Sequence, residues 1–174
     1  MSVEIHLAVE TDTDRWPFDA KRLIRAAETI ASDYGLSEGE ISLAVVGDEE
    51  IRDLNKKYLD HDWPTDAISF VFDQTEDSID GEVIVSVETA YRLAEKLPWS
   101  GDDELLLYVI HGVLHLVGLD DLDEDGASDM RAAERDYLMQ FGVAAADKHG
   151  TEVWEENFAA DERPDSIRSQ RKHL

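Results

Sequence analysis

The chain has 174 residues, 43% of them hydrophobic, enough to bury one substantial core and to form one domain with at most a tail. It contains no cysteine, which excludes thiolate metal sites, thiol nucleophiles and disulfides and leaves His, Asp and Glu as the strong ligands. The formal charge of −25 excludes a broadly basic nucleic-acid-binding surface; spread through the body of the chain, it fits a surface adapted to a very salty cytoplasm, where the Debye length falls to about 3 Å at 1 M salt.

The opening residues, MSVEIHLAVE, carry no basic stretch followed by an apolar run, and no window approaches the roughly 18 apolar residues of a membrane span. A soluble, untargeted cytoplasmic protein is expected. Residues 3–9 alternate in polarity and predict a half-buried strand. Pro17 can open a helix at its first turn, and Leu23, Ile24, Ala27, Ile30, Ala31 and Tyr34 give it an apolar stripe that stops at Gly35. Residues 40–46 (EISLAVV) read as a strand ending at Gly47, with Asp48 as N-cap of DEEIRDLNKKYL. The turn-rich LDHDWPTD then leads into the strand AISFVF, with parallel pairing expected across the intervening helix.

Residues 73–80 (DQTEDSID) predict a polar loop, and GEVIVSV after them a strand that closes a hairpin. Residues 88–97 predict a short amphipathic helix closed by Pro98. Residues 102–117 predict a longer one, acidic in its first turn and apolar almost all round in LLLYVIHGVLHLV, as a central buried helix should be. Residues 127–141 predict a last helix with Met130, Ala133, Tyr137, Leu138 and Phe141 inward. The domain is thus expected over residues 1–142, and the polar tail, 143–174, is expected to be disordered or loosely docked.

Chemistry concentrates in HGVLHLVGLDD. His111 and His115 lie one helical turn apart on one face, about 5 to 6 Å between Cβ atoms, so both can reach one cation at about 2 Å. Gly118 is the residue that most readily takes positive φ where a helix turns back, and that turn can swing Asp121 to the same ion. A single buried histidine is most simply a core residue hydrogen-bonded to backbone. Burying two without strong partners costs several kcal/mol, which a metal removes for both at once.

The spacing is that of the extended zincin motif H-E-x-x-H-x-x-G-x-x-H, with two differences. Gly112 replaces the glutamate that serves zinc proteases as general base, so peptide hydrolysis by that route lacks its proton acceptor. Asp121 replaces the third ligand, which raises the pKa of a water on the ion and favours harder ions. Two histidines and a carboxylate also form the facial triad of non-haem iron oxygenases, a rival of a different reaction class.

These residues resemble a family. HGVLHLVGLDD is similar to the HGxLHLxGYDH signature of the YbeY-type single-strand endoribonucleases, and LNKKYLDHDWPTDAISF resembles their LNxxYRxxDxPTDVLSF at Asn55, Tyr58, Asp62, Pro64, Thr65, Asp66, Ser69 and Phe70. GEVIVS resembles their GDIxIS segment, and Met130 and Glu134 fall where the family carries Met and Glu. The resemblance implies an α+β single domain, a small mixed four-stranded sheet packed against about five helices with the metal-binding helix buried. It implies one divalent ion, zinc, held by His111, His115 and Asp121, and metal-dependent cleavage of single-stranded rRNA in 16S 3′-end maturation and ribosome quality control. The implied partners are rRNA in the pre-ribosomal small subunit, with ribosomal proteins or an assembly GTPase beside it.

The general base is unassigned. Two departures from the family pattern matter, Asp121 for its third histidine and Leu59 for its arginine, a cation suited to phosphate binding. Lys56, Lys57, His61 and Thr65 are the remaining candidates for RNA or phosphate contacts. The loss at Leu59 also leaves open a ribosome-assembly factor whose metal is mainly structural. For Thr65 and Asp66 a turn into the strand competes with lining a cleft, for Tyr58 and Trp63 packing competes with base stacking, and for Met130 an apolar face competes with a place beneath the metal.

Overall fold

The computed structural model describes residues 2–146 and the backbone of residues 171–173. In chain order the elements are β1 (Glu4–Val9), α1 (Ala20–Asp33), β2 (Glu38–Val46), α2 (Asp48–Leu59), β3 (Ala67–Gln74), β4 (Ser78–Ser86), α3 (Val87–Ala94), α4 (Gly101–Leu116) and α5 (Glu124–Gln140), followed by the short β5 (Arg171–His173). Among the described residues this is the expected α+β domain, a mixed sheet of four main strands with five helices. The spatial order is β1-β2-β4-β3-β5, so β5 adds a fifth, three-residue strand outside β3.

The sheet differs from the sequence reading in one respect. β2 does not pair with β3 across α2; its parallel partners are β1, from Glu4 opposite Glu40 to Val9 opposite Val45, and β4, from Glu38 opposite Ser78 to Val46 opposite Ser86. β3 lies beyond, antiparallel to β4 as the predicted hairpin requires. The cause is legible in burial. Val83, Ile84 and Val85 are all buried, the continuous apolar run of a strand covered on both faces, whereas β3 ends in the exposed Phe72, Asp73 and Gln74 and suits the outside. The polar loop predicted at 73–80 shrinks to a turn at 75–77, because Asp73 and Gln74 pair with Asp80 and Ile79 after a register shift between Val71 and Asp73.

Alternation along the strands sorts two cores. Ile41, Leu43, Val45, Val83, Val85 and Ala67 face the main core with α1, α3, α4 and α5, while Val46, Ile68, Phe70 and Ile84 face α2 and pack with Ile51, Leu54, Tyr58 and Leu59. Helix starts differ from the sequence reading by their caps. α1 begins at Ala20 rather than near Pro17, since the Asp19 carboxylate accepts from the Arg22 N–H at 3.1 Å. α2 is capped by Gly47, and Asp48 is already helical. Its carboxylate instead clasps α3, accepting from Ser86 Oγ at 2.7 Å, Thr89 Oγ1 at 2.6 Å and Arg92 at 2.6 Å.

α4 starts in a capping box, in which Ser100 and Asp103 exchange side-chain-to-backbone hydrogen bonds, and is buried throughout Glu104–Leu116. The most apolar helix of the sequence is therefore the central one. It also buries Glu104, whose carboxyl accepts from Trp99 Nε1 at 2.7 Å and is lifted well above the usual range by burial. Of the expected tail, Val143 and Ala146 are buried in the main core, and residues 147–170 and 174 lie outside the described residues. Among the described residues, no helix is long and apolar enough to cross a membrane.

Candidate metal centre

α4 ends in a glycine turn that assembles the site. Gly118 takes φ +111°, its N–H donates to the His115 carbonyl at 3.1 Å, and the Leu119 N–H reaches back to Leu114 at 3.0 Å. These are the two bonds of a Schellman motif. The turn carries the Leu119 carbonyl onto His115 Nδ1, 2.9 Å away. A carbonyl only accepts, so Nδ1 holds the proton and Nε2 keeps its lone pair. On the other side of the site, α5 presents Glu134 Oε1 to His111 Nδ1 at 2.7 Å, which sets His111 in the same way.

The two Nε2 atoms then face each other at 3.0 Å. Two lone pairs at that separation repel unless a cation lies between them, either a proton or a metal ion. Asp121 Oδ1 stands 4.0 Å from His115 Nε2, and the three ligand atoms lie within 4.8 Å of one another. A tetrahedral zinc ion with ligands at about 2.0–2.1 Å separates neighbouring ligand atoms by about 3.3 Å, between the two distances found. The donor set fits a divalent ion, and the backing carbonyl and carboxylate are the partners such histidines ordinarily have.

The surroundings are electronegative. Burial alone would lower the His111 pKa, but the hydrogen-bonded Glu134 carboxylate, with the charges of Asp66 and Asp121 nearby, outweighs it and lifts the group to about 9. Gly112 lies against the sheet: a Cβ there would run into the Val83 side chain, and Ser69 Oγ donates to the Gly112 carbonyl at 3.1 Å. The position that carries the general base in zinc proteases therefore faces the core here and has no room for a side chain.

The remaining candidates lie on α2 and the segment after it. Lys56 and Lys57 are exposed, the first 3.9 Å from Asp62 and the second over the Tyr58 ring. His61 stacks on Trp63 with ring centroids 4.6 Å apart, and Asn55 Nδ2 holds the Trp63 carbonyl at 2.9 Å. Thr65 is fully buried, and its hydroxyl has no hydrogen-bond partner among the described residues. Tyr58 packs edge-on against Phe70, Leu59 joins the same apolar cluster, and Met130 is buried in the main core one turn before Glu134.

Sequence reasoning placed Glu134 only by resemblance. Its physical signal is a carboxylate on the inward face of α5, where burial demands a partner. The role of Asp66 beside His111 carries no local sequence signal, because it depends on how β3 packs against α4.

A mixed-sheet α+β domain has a buried helix that carries two histidines, ends in a glycine turn and returns an aspartate to them, a group that could hold a metal ion and has zincin-like spacing. The family model described as Endoribonuclease YbeY matches residues 6–142, and the chain belongs to that family. An Endoribonuclease YbeY of Rhodopirellula baltica is 37% identical over 123 residues, covering 70% of this chain and 63% of that protein, so the chain spans less than two thirds of that relative. Two others of the same name are each 34% identical: one from Salinibacter ruber over 140 residues, covering 76% of this chain and 89% of that protein, and one from Halalkalibacterium halodurans over 158 residues, covering 82% and 98%. The solution structure of TM1509 from Thermotoga maritima superposes with a TM-score of 0.56 at 25% identity, covering 87% of this chain and 90% of that one.

Proposed function

We propose that the protein is a metal-dependent endoribonuclease of the cytoplasm that cleaves single-stranded rRNA, acting in 16S 3′-end maturation and ribosome quality control, with one zinc ion per chain. The supporting observation is the pair of His111 and His115 Nε2 lone pairs fixed 3.0 Å apart, with the Asp121 carboxylate beside them, in a chain of the Endoribonuclease YbeY family. When bound, the ion supplies a Lewis acid that polarises a phosphate oxygen and makes water a better nucleophile. His111, His115 and Asp121 hold it; Glu134 and the Leu119 carbonyl orient the two rings. Lys56, Lys57 and His61 supply the phosphate contacts on the α2 side, and the buried Thr65 shapes the segment that carries His61.

A second reading is a ribosome-assembly factor with little cleavage activity. It is favoured by Leu59, which packs into the apolar cluster under α2 at the position of the family arginine. One comparison separates the two: elemental analysis of protein purified without chelator, then cleavage of a single-stranded rRNA fragment by wild type, Asp121→Ala and Leu59→Arg. The nuclease reading expects about one metal per chain, cleavage by wild type, and loss of both metal and cleavage in Asp121→Ala. A metal-replete wild type that leaves the RNA intact, with cleavage appearing only in Leu59→Arg, establishes the second reading instead.

A further inference from the structure

We infer that the indole of Trp63, stacked on His61 just beyond α2, is a platform on which an unpaired nucleobase of the RNA substrate stacks. The inference deepens the nuclease reading and rests on it for its ligand, single-stranded RNA. On sequence alone packing competes with base stacking at both Tyr58 and Trp63, and the fold separates the two. Tyr58 packs edge-on against Phe70 in the cluster under α2. Among the described residues Trp63 joins neither apolar cluster; it is 38% exposed and lies nearly parallel to His61, with the ring planes 12° apart and the centroids 4.6 Å apart. His61 is half-buried and Trp63 exposed, so the indole is the outer ring of the pair. A base laid on it extends a stack that the protein has begun.

The pair is held in place from below. Asn55, fully buried, grips both of its ends: the carbonyl accepts from the His61 N–H at 3.2 Å, and Nδ2 donates to the Trp63 carbonyl at 2.9 Å. Between the two rings, Asp62 accepts from Arg52 Nε at 3.0 Å. Pro64 then restricts the Trp63 backbone to extended conformations. Two aromatic rings outside the core are thus fixed in advance, and little freedom is lost when a base arrives.

Place and charge select the occupant. Asp66, whose charge acts on His111, follows Trp63 by three residues, which even a fully extended chain spans in about 10 Å. The platform therefore belongs to the surroundings of the metal centre. Lys56 and Lys57 are exposed on the adjoining last turn of α2, and Lys56 reaches the same loop at Asp62, 3.9 Å away. In a chain of charge −25, cations beside an open aromatic face suit a polyanion that carries flat bases better than a basic protein segment. A base inside a duplex has both faces covered by its neighbours. Stacking on Trp63 thus selects unpaired RNA without reading its sequence.

The test uses full-length, zinc-loaded protein and short fluorescein-labelled 2′-O-methyl oligoribonucleotides, with affinity measured by anisotropy over a KCl series. Trp63→Ala is expected to weaken single-strand binding about tenfold or more, and Trp63→Phe to restore most of it. The slope of log K against log salt should stay the same in both, because no phosphate contact is lost. A single abasic nucleotide moved along the strand should cost the wild type affinity at one position, and Trp63→Ala should be insensitive at that position. The abasic scan of the wild type needs no substitution, so it reads the platform even where a variant is unstable. Unchanged binding by Trp63→Ala overturns the proposal, as does a wild type indifferent to every abasic position. A loss in Trp63→Ala that a matched duplex shares, or that alters the salt slope, also overturns it and makes Trp63 a structural residue. Binding is read apart from cleavage: a wild type that stacks a base on Trp63 and leaves unmodified RNA of the same sequence intact refutes the nuclease reading alone.

Discussion

At His111 a proton and the proposed metal ion compete for one lone pair. Its pKa of about 9 means that the imidazole is charged in the metal-free protein at neutral pH, its Nε2 proton shared with His115. Because the folded pKa lies above the unfolded value near 6.5, this charge stabilises the metal-free fold fully below pH 6.5, and that contribution fades as pH rises through about 9. Metal binding must expel the proton. Competition against a chelator of known affinity should therefore show zinc binding that tightens about tenfold per pH unit from neutrality upward and levels off near pH 9. A flat profile would show that His111 is neutral before the ion arrives. Glu134→Gln removes the carboxylate that holds the charge; zinc affinity should fall about 10- to 100-fold and the plateau should begin at lower pH.

At the scale of elements, α4 is constrained along its whole length. Its sheet side tolerates only glycine at 112, so Gly112→Ala should cost about 1–3 kcal/mol by overpacking against Val83. A Tm unchanged by that substitution would mean that α4 can lift from β4 at little cost. The clasp between α2 and α3 yields another measurement. Burial alone would raise the Asp48 pKa, but hydrogen bonds from Thr89, Arg92 and Ser86 outweigh it and hold the carboxylate below its ordinary 3.8. Its stabilisation is present above that pH and is lost as pH falls through the depressed value. Asp48→Ala should lower urea stability by about 1–3 kcal/mol at pH 7, with the deficit shrinking in acid; a deficit independent of pH would indicate lost packing instead.

The same elements show what sequence can reveal. α4 was legible because its signals are local: an acidic first turn, an apolar run, a ligand pair at one-turn spacing and a glycine at the end. The place of β4 between β2 and β3 was not, since it follows from which strand is covered on both faces, a property of the assembled sheet. Asp48 reads as a cap by position, yet its partners lie some forty residues away, and only the fold brings Ser86 and Thr89 to it.

For the whole molecule, a charge of −25 on 174 residues sets the dependence on solvent. Self-repulsion on this scale is screened over about 10 Å at 0.1 M salt and about 3 Å at 1 M. Thermal unfolding should therefore move to higher temperature as KCl rises from 0.1 to about 2 M, beyond the effect of a neutral osmolyte at matched osmolality. A Tm indifferent to KCl would disconnect the acidic surface from salt. The same field acts on any RNA, which it repels at a distance.

In the proposed metal centre, the Schellman turn at Gly118 sets how long an ion stays. The turn that ends α4 also presents the Leu119 carbonyl to His115 and returns Asp121, so two of the three ligands and one of the two tautomer locks hang on its two hydrogen bonds. Helix ends fray far faster than folds unfold, and each fraying event releases the aspartate and unlocks a histidine together. Ion escape is then gated by one local opening rather than by three independent dissociations. In Gly118→Ala, where positive φ costs about 1 kcal/mol or more, zinc should leave several-fold faster although every donor atom remains.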